Sequence, residues 1–85
     1  NFPNPFNPVT RIAFSLENAG HARLDIFDPA GRLVKTLVDG KLPAARHEVG
    51  WNGRDGAGRP VSSGVYFYTI VTDGKRDTQN MILLR

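Results

Sequence analysis

The sequence predicts an all-β protein, built as an antiparallel β-sandwich of about seven short strands. Three observations lead to this prediction. Apolar and polar residues alternate with a period of two in most segments, which is typical of strands with one buried face. Turn-forming combinations of Gly, Pro, Asn and Asp recur about every ten residues. No segment of about ten or more residues combines helical periodicity with capping residues.

The first half of the chain contains three predicted strands. In TRIAFSL the side chains of Ile12, Phe14 and Leu16 share one face, and HARLDIFD continues the alternation. The segment Asp28-Pro29-Ala30-Gly31 predicts a β-turn, since Asp, Pro and Gly each stand at a favoured position. The spacing in RLVKTLVDG fits a helix as well as a strand, and we predict a strand because the hairpin requires a partner. We expect this strand to end at Asp39-Gly40.

The second half contains the segment with the strongest strand character. HEVGW alternates and leads into the Gly-rich loop NGRDGAGRPVSSG. VYFYTIVTD is β-branched or aromatic on both faces, which predicts a central strand covered on both sides. In this strand Tyr66 and Tyr68 would face one way, and Val65 and Phe67 the other. Asp73-Gly74 then predicts a tight hairpin into KRDTQNMILLR. Short strands joined by sequential hairpins indicate a sandwich of immunoglobulin-like kind.

Length, composition and charge exclude several classes of function. The 85 residues allow one domain, which buries roughly 60% of its unfolded surface, and the absence of Cys excludes disulfides and Cys-based zinc sites. The net charge of +3 comes from scattered Lys and Arg, whereas nucleic-acid-binding proteins present a dense basic stripe. No apolar run approaches the roughly 20 residues of a membrane helix. We therefore expect no nucleic-acid partner and no direct membrane insertion.

Few residues of the chain have the chemistry for catalysis or for cofactor binding. Neither His21 nor His47 has further ligands at a metal-like spacing, and Ser62 and Ser63 lack a nucleophile elbow and a base. Asp55 stands in a Gly-rich loop that could be a calcium-binding loop with oxygen ligands, but the carboxylate spacing of an EF-hand is missing. An Asp in such a loop is more often a turn former. We predict no catalytic residue, no metal site, no cofactor, and no enzymatic activity.

The aromatic residues allow two interpretations. Exposed rings on one flat face could bind a carbohydrate, but a core this small needs its large apolar side chains inside. We therefore predict core positions, with Trp51 at the end of its strand and an acceptor for its indole N–H. The rings in question are Trp51, Tyr66, Phe67 and Tyr68. The residues to which we assign structural roles are Trp51, Gly53, Asp55 and Gly58.

The first nine residues differ in composition from the rest. Three prolines in NFPNPFNPV remove backbone donors and favour extended conformations, and two phenylalanines accompany them. We expect residues 1–9 to form a stiff junction that packs on the domain through Phe6 and leads from an upstream domain. Residues 10–85 would then form the sandwich.

Four stretches, taken in their order and spacing, resemble one group of related domains. The stretches are PNPFNPVTRIAFSL, IFDPAGRLVKTLVDG, HEVGWNGRDGAGRPVSSGVYFYTI and MILLR. They resemble the C-terminal sorting domain of type IX secretion cargo and the related immunoglobulin-like domain of flagellar hook-capping proteins. The residues that match the motifs are Pro3, Asn4, Pro5, Phe6, Gly64, Tyr66, Met81, Leu83, Leu84 and Arg85.

The resemblance implies a sorting module at the C-terminus of a larger secreted protein. The type IX secretion translocon would recognise it, so the protein would cross the periplasm and outer membrane of a Gram-negative bacterium and be secreted or attached to the cell surface. Its partners would be translocon components and the upstream passenger domain of the same polypeptide. The alternatives are a carbohydrate-binding or spacer module of a secreted glycoside hydrolase and a structural domain of the flagellar hook-capping type.

Overall fold

A computed structural model describes residues 10–84 of the chain, and these residues form six β-strands. The strands are β1 (Thr10–Ser15), β2 (Gly20–Phe27), β3 (Leu33–Leu42), β4 (Arg46–Trp51), β5 (Gly64–Thr72) and β6 (Lys75–Leu83). The described residues include no helix that could cross a membrane. The predicted all-β fold class is confirmed.

The strands form two antiparallel sheets of unequal size. The smaller sheet has the order β1-β4, and the larger sheet has the order β3-β2-β5-β6. Side chains from both sheets meet in one core. Its buried members are Ile12, Leu24, Ile26, Trp51, Tyr66, Ile70 and Leu83. Two strands are too few to cover the whole inner face of four, so the strands of residues 10–84 leave part of the larger sheet uncovered.

The period-two pattern places the core side chains as the sequence predicts. Leu24 and Ile26 of β2 are fully buried, and Ile12 of β1 is 3% exposed. Burial of one such side chain stabilises the fold by about 1.5–3 kcal/mol. A shift of one residue in either strand would turn these side chains to solvent, so the alternation fixes the register.

The third strand departs from the prediction at its end. Asp39-Gly40 does not end β3, which continues to Leu42 because it stays paired with β2. In this pairing Asp39 lies opposite Arg23 and accepts hydrogen bonds from the Arg23 Nη1 and from His21. Cross-strand pairing therefore prevails over the local turn preference of the Asp-Gly pair.

An irregular register explains the helix-like spacing of β3. The pairing of β2 with β3 shifts between Leu24 and Asp25 and again between Ile26 and Phe27. Bulges of this kind change which side chains face inward. As a result Val34, Leu37 and Val38 all pack against the core, although they do not alternate. The prediction of a strand is confirmed.

The two predicted hairpin turns are both present. In the turn at 28–31 the Gly31 N–H donates to the Asp28 carbonyl oxygen over 2.9 Å. Between β5 and β6 the backbone has positive φ at both turn residues, 50° at Asp73 and 75° at Gly74. Two central residues with positive φ are typical of the type I′ turn that connects twisted hairpins.

Strand β5 is central, but only one of its faces is covered by the described residues. The inner side chains of Tyr66 and Ile70 are each 7% exposed, whereas Val65 on the other face is 45% exposed. Coverage on both faces is therefore a wrong prediction. The reason is that the second sheet packs on one side only. The register brings apolar residues together on the opposite side, which we call the outer apolar face: Phe27, Leu33, Val65, Phe67 and Ile82.

Trp51 joins the two sheets and the long loop. Its indole is fully buried, and its N–H donates to the carbonyl oxygen of Arg54 over 2.9 Å. The ring meets Tyr66 of the larger sheet edge to face, with centroids 5.2 Å apart. The Tyr66 hydroxyl in turn donates to the Ser62 carbonyl oxygen over 2.7 Å. One aromatic pair thus packs the core and satisfies polar groups of the loop.

We expect the Trp51→Ala variant to lose about 3–5 kcal/mol of its free energy of unfolding, because a large cavity would replace a fully buried ring. Urea denaturation followed by far-UV circular dichroism measures this loss. Leu33→Ala serves as control, since Leu33 is 54% exposed and its truncation should cost less than about 0.5 kcal/mol. Similar losses in both variants would contradict the assignment of Trp51 as the centre of the core.

Candidate functional site

Two loops of the sandwich share the pattern Asp-x-Ala-Gly-Arg. The first is Asp28-Pro29-Ala30-Gly31-Arg32, and the second is Asp55-Gly56-Ala57-Gly58-Arg59. The turn residues of each loop predict a turn, but they do not by themselves connect the two loops. The connection is an internal repeat of five residues in the sequence.

The side chain of the Asp organises each loop. Asp28 Oδ1 accepts hydrogen bonds from the N–H of Ala30 at 3.0 Å and of Arg32 at 2.9 Å, while its Oδ2 accepts from the Arg32 Nε. Asp55 Oδ1 accepts in the same way from Ala57 and Arg59, both at 2.9 Å. These bonds replace the backbone pairs that a tight loop cannot form.

The second loop packs against the strand that follows the first. The Gly56 N–H donates to the carbonyl oxygen of Val34 over 2.9 Å. Val34 stands two residues beyond the first loop, so both loops lie beside the start of β3. The glycines at the fourth loop position have φ of 85° at Gly31 and 83° at Gly58, a conformation that favours glycine.

The electrostatics of both loops favour the ionised carboxylates. The backbone hydrogen bond from Arg32 lowers the pKa of Asp28 most strongly, and partial desolvation opposes it. For Asp55 the backbone hydrogen bond from Arg59 is the main cause of the lowered pKa, again against desolvation. Because these carboxylates accept hydrogen bonds from N–H groups of their own loops, they stabilise the turns. Among residues 10–84 no cluster of three or more His, Asp or Glu side chains is suited to a metal ion.

The histidines and serines considered for catalysis stand apart from one another. His21 lies 2.8 Å from Asp39 Oδ1 on the outer side of β2, and His47 Nε2 lies 2.9 Å from the Pro43 carbonyl oxygen. The backbone carbonyl oxygen of Ser62 accepts a hydrogen bond from the Tyr66 hydroxyl. Within the part of the chain that the structure describes, neither histidine contacts a serine hydroxyl in a catalytic arrangement.

The residues assigned to structural roles surround one loop. Gly53 is buried with φ of 75°, and its carbonyl oxygen accepts from Val61 over 3.0 Å. The carbonyl oxygen of Gly58 accepts from the Arg54 guanidinium over 2.9 Å. Together with Trp51 and Asp55, which are described above, they hold the loop between β4 and β5 in one conformation.

The four aromatic rings considered for sugar binding do not form a platform. Trp51 is fully buried and Tyr66 is 7% exposed, so neither presents a ring face to solvent. Phe67 lies on the outer apolar face, whereas Tyr68 packs against the core on the inner face. Sugar binding through Trp51 therefore has no structural basis, because the ring is needed in the core.

The motif residues of β5 and β6 come together at one end of the larger sheet. Gly64 pairs with Leu83, and Tyr66 pairs with Met81. Gly64 has φ of 151° and a Cβ there would meet no atom within 4 Å, so its backbone conformation explains the glycine. Leu83 is 1% exposed and Leu84 is 74% exposed. The motif residues Pro3, Asn4, Pro5, Phe6 and Arg85 lie outside the described residues, as does the expected junction 1–9.

Strand β6 forms one edge of the larger sheet. Among residues 10–84 it pairs with β5 alone, so its other backbone edge faces outward. The apolar side chains Ile82 and Leu84 near its end are 64% and 74% exposed. An exposed edge strand with apolar side chains can pair with the strand of another protein. We call this segment, Met81–Leu84, the terminal edge.

Comparison with known proteins identifies the family. Residues 5–76 match the family model described as the FlgD Ig-like domain. The chain belongs to this family. Of the two related families that the motifs resemble, the hook-capping immunoglobulin-like domain is thus the one that the comparison supports. A search of curated proteins gave no match.

A solved structure supports the fold of this FlgD Ig-like domain. The crystal structure of FlgD from P. aeruginosa superposes with a TM-score of 0.66 at 20% sequence identity. The alignment covers 91% of this chain and 62% of that chain, so this chain spans less than two thirds of the length of that FlgD. At this identity the likeness establishes the immunoglobulin-like fold.

We expect acid to destabilise the domain partly through protonation of the Asp28 and Asp55 carboxylates. Because their pKa values are lowered by folding, their contribution is present at neutral pH and is lost as the pH falls below about 4. The double variant Asp28→Asn/Asp55→Asn keeps an oxygen acceptor but does not titrate. Its free energy of unfolding in urea should therefore fall less between about pH 7 and about pH 3 than that of the wild type. Equal losses in the two proteins would contradict the stabilising role of these carboxylates.

Proposed function

We propose that this domain is a non-catalytic structural module of the hook-capping type, which works by protein contact within a larger assembly. The observation that carries the proposal is the family match over residues 5–76. The carboxylates of the two Asp-x-Ala-Gly-Arg loops support it, since they are occupied by bonds within the loops rather than aimed at a ligand.

The outer apolar face supports a role in protein contact. The register places Phe27 beside Phe67 and Leu33, and it places Val65 beside Ile82. Leu33, Val65 and Ile82 are 54%, 45% and 64% exposed, respectively. A group of apolar side chains on one open sheet face, with polar neighbours, is typical of a surface that another protein covers.

A chimera tests the hook-capping proposal. In P. aeruginosa FlgD, residues 1–85 of this chain would replace the aligned immunoglobulin-like domain. We expect hooks, counted by electron microscopy, to form in a strain that lacks its own FlgD. The variant Val65→Glu/Ile82→Glu should abolish hook formation, because two charges would occupy the outer apolar face.

The matched control for the chimera is Thr78→Glu/Lys41→Glu, which places two acidic side chains at exposed positions of β6 and β3 outside the apolar group. It should keep hook formation. A well-folded chimera that forms no hooks, or one that tolerates Val65→Glu/Ile82→Glu, would contradict the proposal. Circular dichroism of the isolated variants shows whether each domain is folded.

The terminal edge favours a second candidate, the sorting module of a secreted protein. The segment Met81–Leu84 combines an open backbone edge with the exposed side chains of Ile82 and Leu84. Its backbone could add to a sheet of a type IX translocon component. In this proposal an upstream passenger domain is carried through the periplasm to the cell surface or into the medium of a Gram-negative bacterium.

A passenger fusion tests the sorting candidate. A fluorescent passenger with a signal peptide would precede residues 1–85 in a cell that has a type IX secretion system. We expect the passenger at the cell surface or in the medium, measured by fractionation and surface labelling. The variant Ile82→Asp/Leu84→Asp should hold it in the periplasm, while the control Leu33→Asp on β3 should not. A periplasmic wild-type fusion would refute sorting.

A further inference from the structure

The uncovered part of the larger sheet forms a groove beside β1. The groove has a volume of about 410 Å³ and lies between β1 and the inner face of β5 and β6. Three consecutive residues of β1, Ala13, Phe14 and Ser15, line it. Side chains alternate between the faces of a strand, so three consecutive lining residues mean that β1 presents its backbone edge to the groove. We call this the β1 groove.

The edge of β1 in this groove has no partner strand among the described residues. β1 pairs with β4 on one side, from Thr10 opposite Trp51 to Ser15 opposite Arg46. On its other side the N–H and C=O groups point toward the groove. An open edge of this kind accepts an extended peptide, which gains affinity from backbone hydrogen bonds.

The floor of the groove would give such a peptide an apolar contact. Tyr68 and Ile70 of β5 face inward beneath the edge of β1, and Phe14 stands at its side. Tyr68 and Phe14 are only half-buried, although both pack against the core. A third strand beside β1 would cover these rings and extend the smaller sheet over the part of the larger sheet that it leaves open.

The far wall of the groove is polar and contains a lysine without an ion-pair partner among residues 10–84. Lys75, Arg76 and Asp77 of β6 line it, and the pairing with β5 places the side chains of Lys75 and Asp77 on the inner face and that of Arg76 on the outer face. The Asp77 carboxylate accepts from the Gln79 side chain, while Lys75 and Arg76 take part in none of the ion pairs formed among residues 10–84. Glu17 and Asp73 line a neighbouring depression at the turns, which shares Ser15, Thr72 and Lys75 with the groove.

We propose that the β1 groove binds an extended segment of a partner protein, which adds as a strand to the edge of β1. Apolar side chains of this segment would contact Tyr68 and Ile70, and one of its carboxylates would lie beside Lys75. A second copy of this chain is a poorer occupant, because each copy carries a net charge of +3. The proposal deepens the function proposed above, since it rests on the domain acting by protein contact. It names a surface distinct from the outer apolar face and from the terminal edge.

A pair of synthetic peptides probes the groove. The first is acetyl-Thr-Val-Thr-Val-Thr-Glu-Thr-amide, in which Val and Glu share one face of the strand. The second has Lys in place of Glu. With millimolar Glu peptide and the 85-residue chain, we expect hydrogen exchange measured by NMR to slow at alternate amides of Thr10–Ser15. The Lys peptide should bind about fivefold more weakly, as an exposed ion pair allows.

Charge-swapped variants of the chain complete the test. Lys75→Glu should lower the affinity for the Glu peptide about fivefold, so that the variant binds the Lys peptide more tightly than the Glu peptide. Lys41→Glu is the matched control, since Lys41 is exposed on β3 at the opposite edge of the larger sheet, and it should leave both affinities unchanged. Amide spectra establish that both variants are folded.

Three results would overturn the proposal. They are no protection of β1 amides by either peptide, protection confined to β3 or β6, and closure of the β1 edge by a dimer of the chain in sedimentation equilibrium. Any of these results could occur while the hook-formation assay and the secretion assay succeed. That combination would reject peptide binding in the β1 groove but keep the proposed function. Failure of both cellular assays with intact peptide binding would reject the function and keep the groove.

Discussion

The packing of Trp51 against Tyr66 is the interaction on which the rest of the structure depends. The indole ends the smaller sheet and the phenol belongs to the larger one, so their edge-to-face contact at 5.2 Å fixes one sheet on the other. Both polar groups of the pair bond to backbone carbonyls of the intervening loop, at Arg54 and Ser62. In a domain of 85 residues without disulfides, few other side chains can hold two sheets and a long loop together.

Local patterning was sufficient to predict the strands, but not the extent of their pairing. Alternation identified β1 and β2, because burial of one strand face leaves a period of two in the sequence. The end of β3 was mispredicted at Asp39-Gly40, since the partners that hold Asp39 in the strand, His21 and Arg23, are distant in sequence. The coverage of β5 was mispredicted for a similar reason. How many strands face it depends on sheet pairing, which no local pattern records.

The candidate sites differ in how far the sequence could define them. The repeated Asp-x-Ala-Gly-Arg loops are entirely local, so a search for internal repeats would have found them, and each Asp bonds within five residues of itself. The groove beside β1 combines residues from Ala13 to Asp77 and depends on which strands are absent from the smaller sheet. Such a surface arises only after the chain has folded, and sequence patterning cannot reveal it.

Unequal sheets explain why this fold has open edges and exposed apolar side chains among residues 10–84. The two-stranded sheet buries part of the inner face, and among residues 10–84 no strand covers the edge of β1 above Tyr68 and Ile70. The larger sheet has no layer on its outer side among residues 10–84, so Val65 and Ile82 remain exposed. An immunoglobulin-like fold does not by itself determine a partner. Specificity must therefore come from the side chains along these open edges and faces, and they are where relatives with one fold can diverge in function.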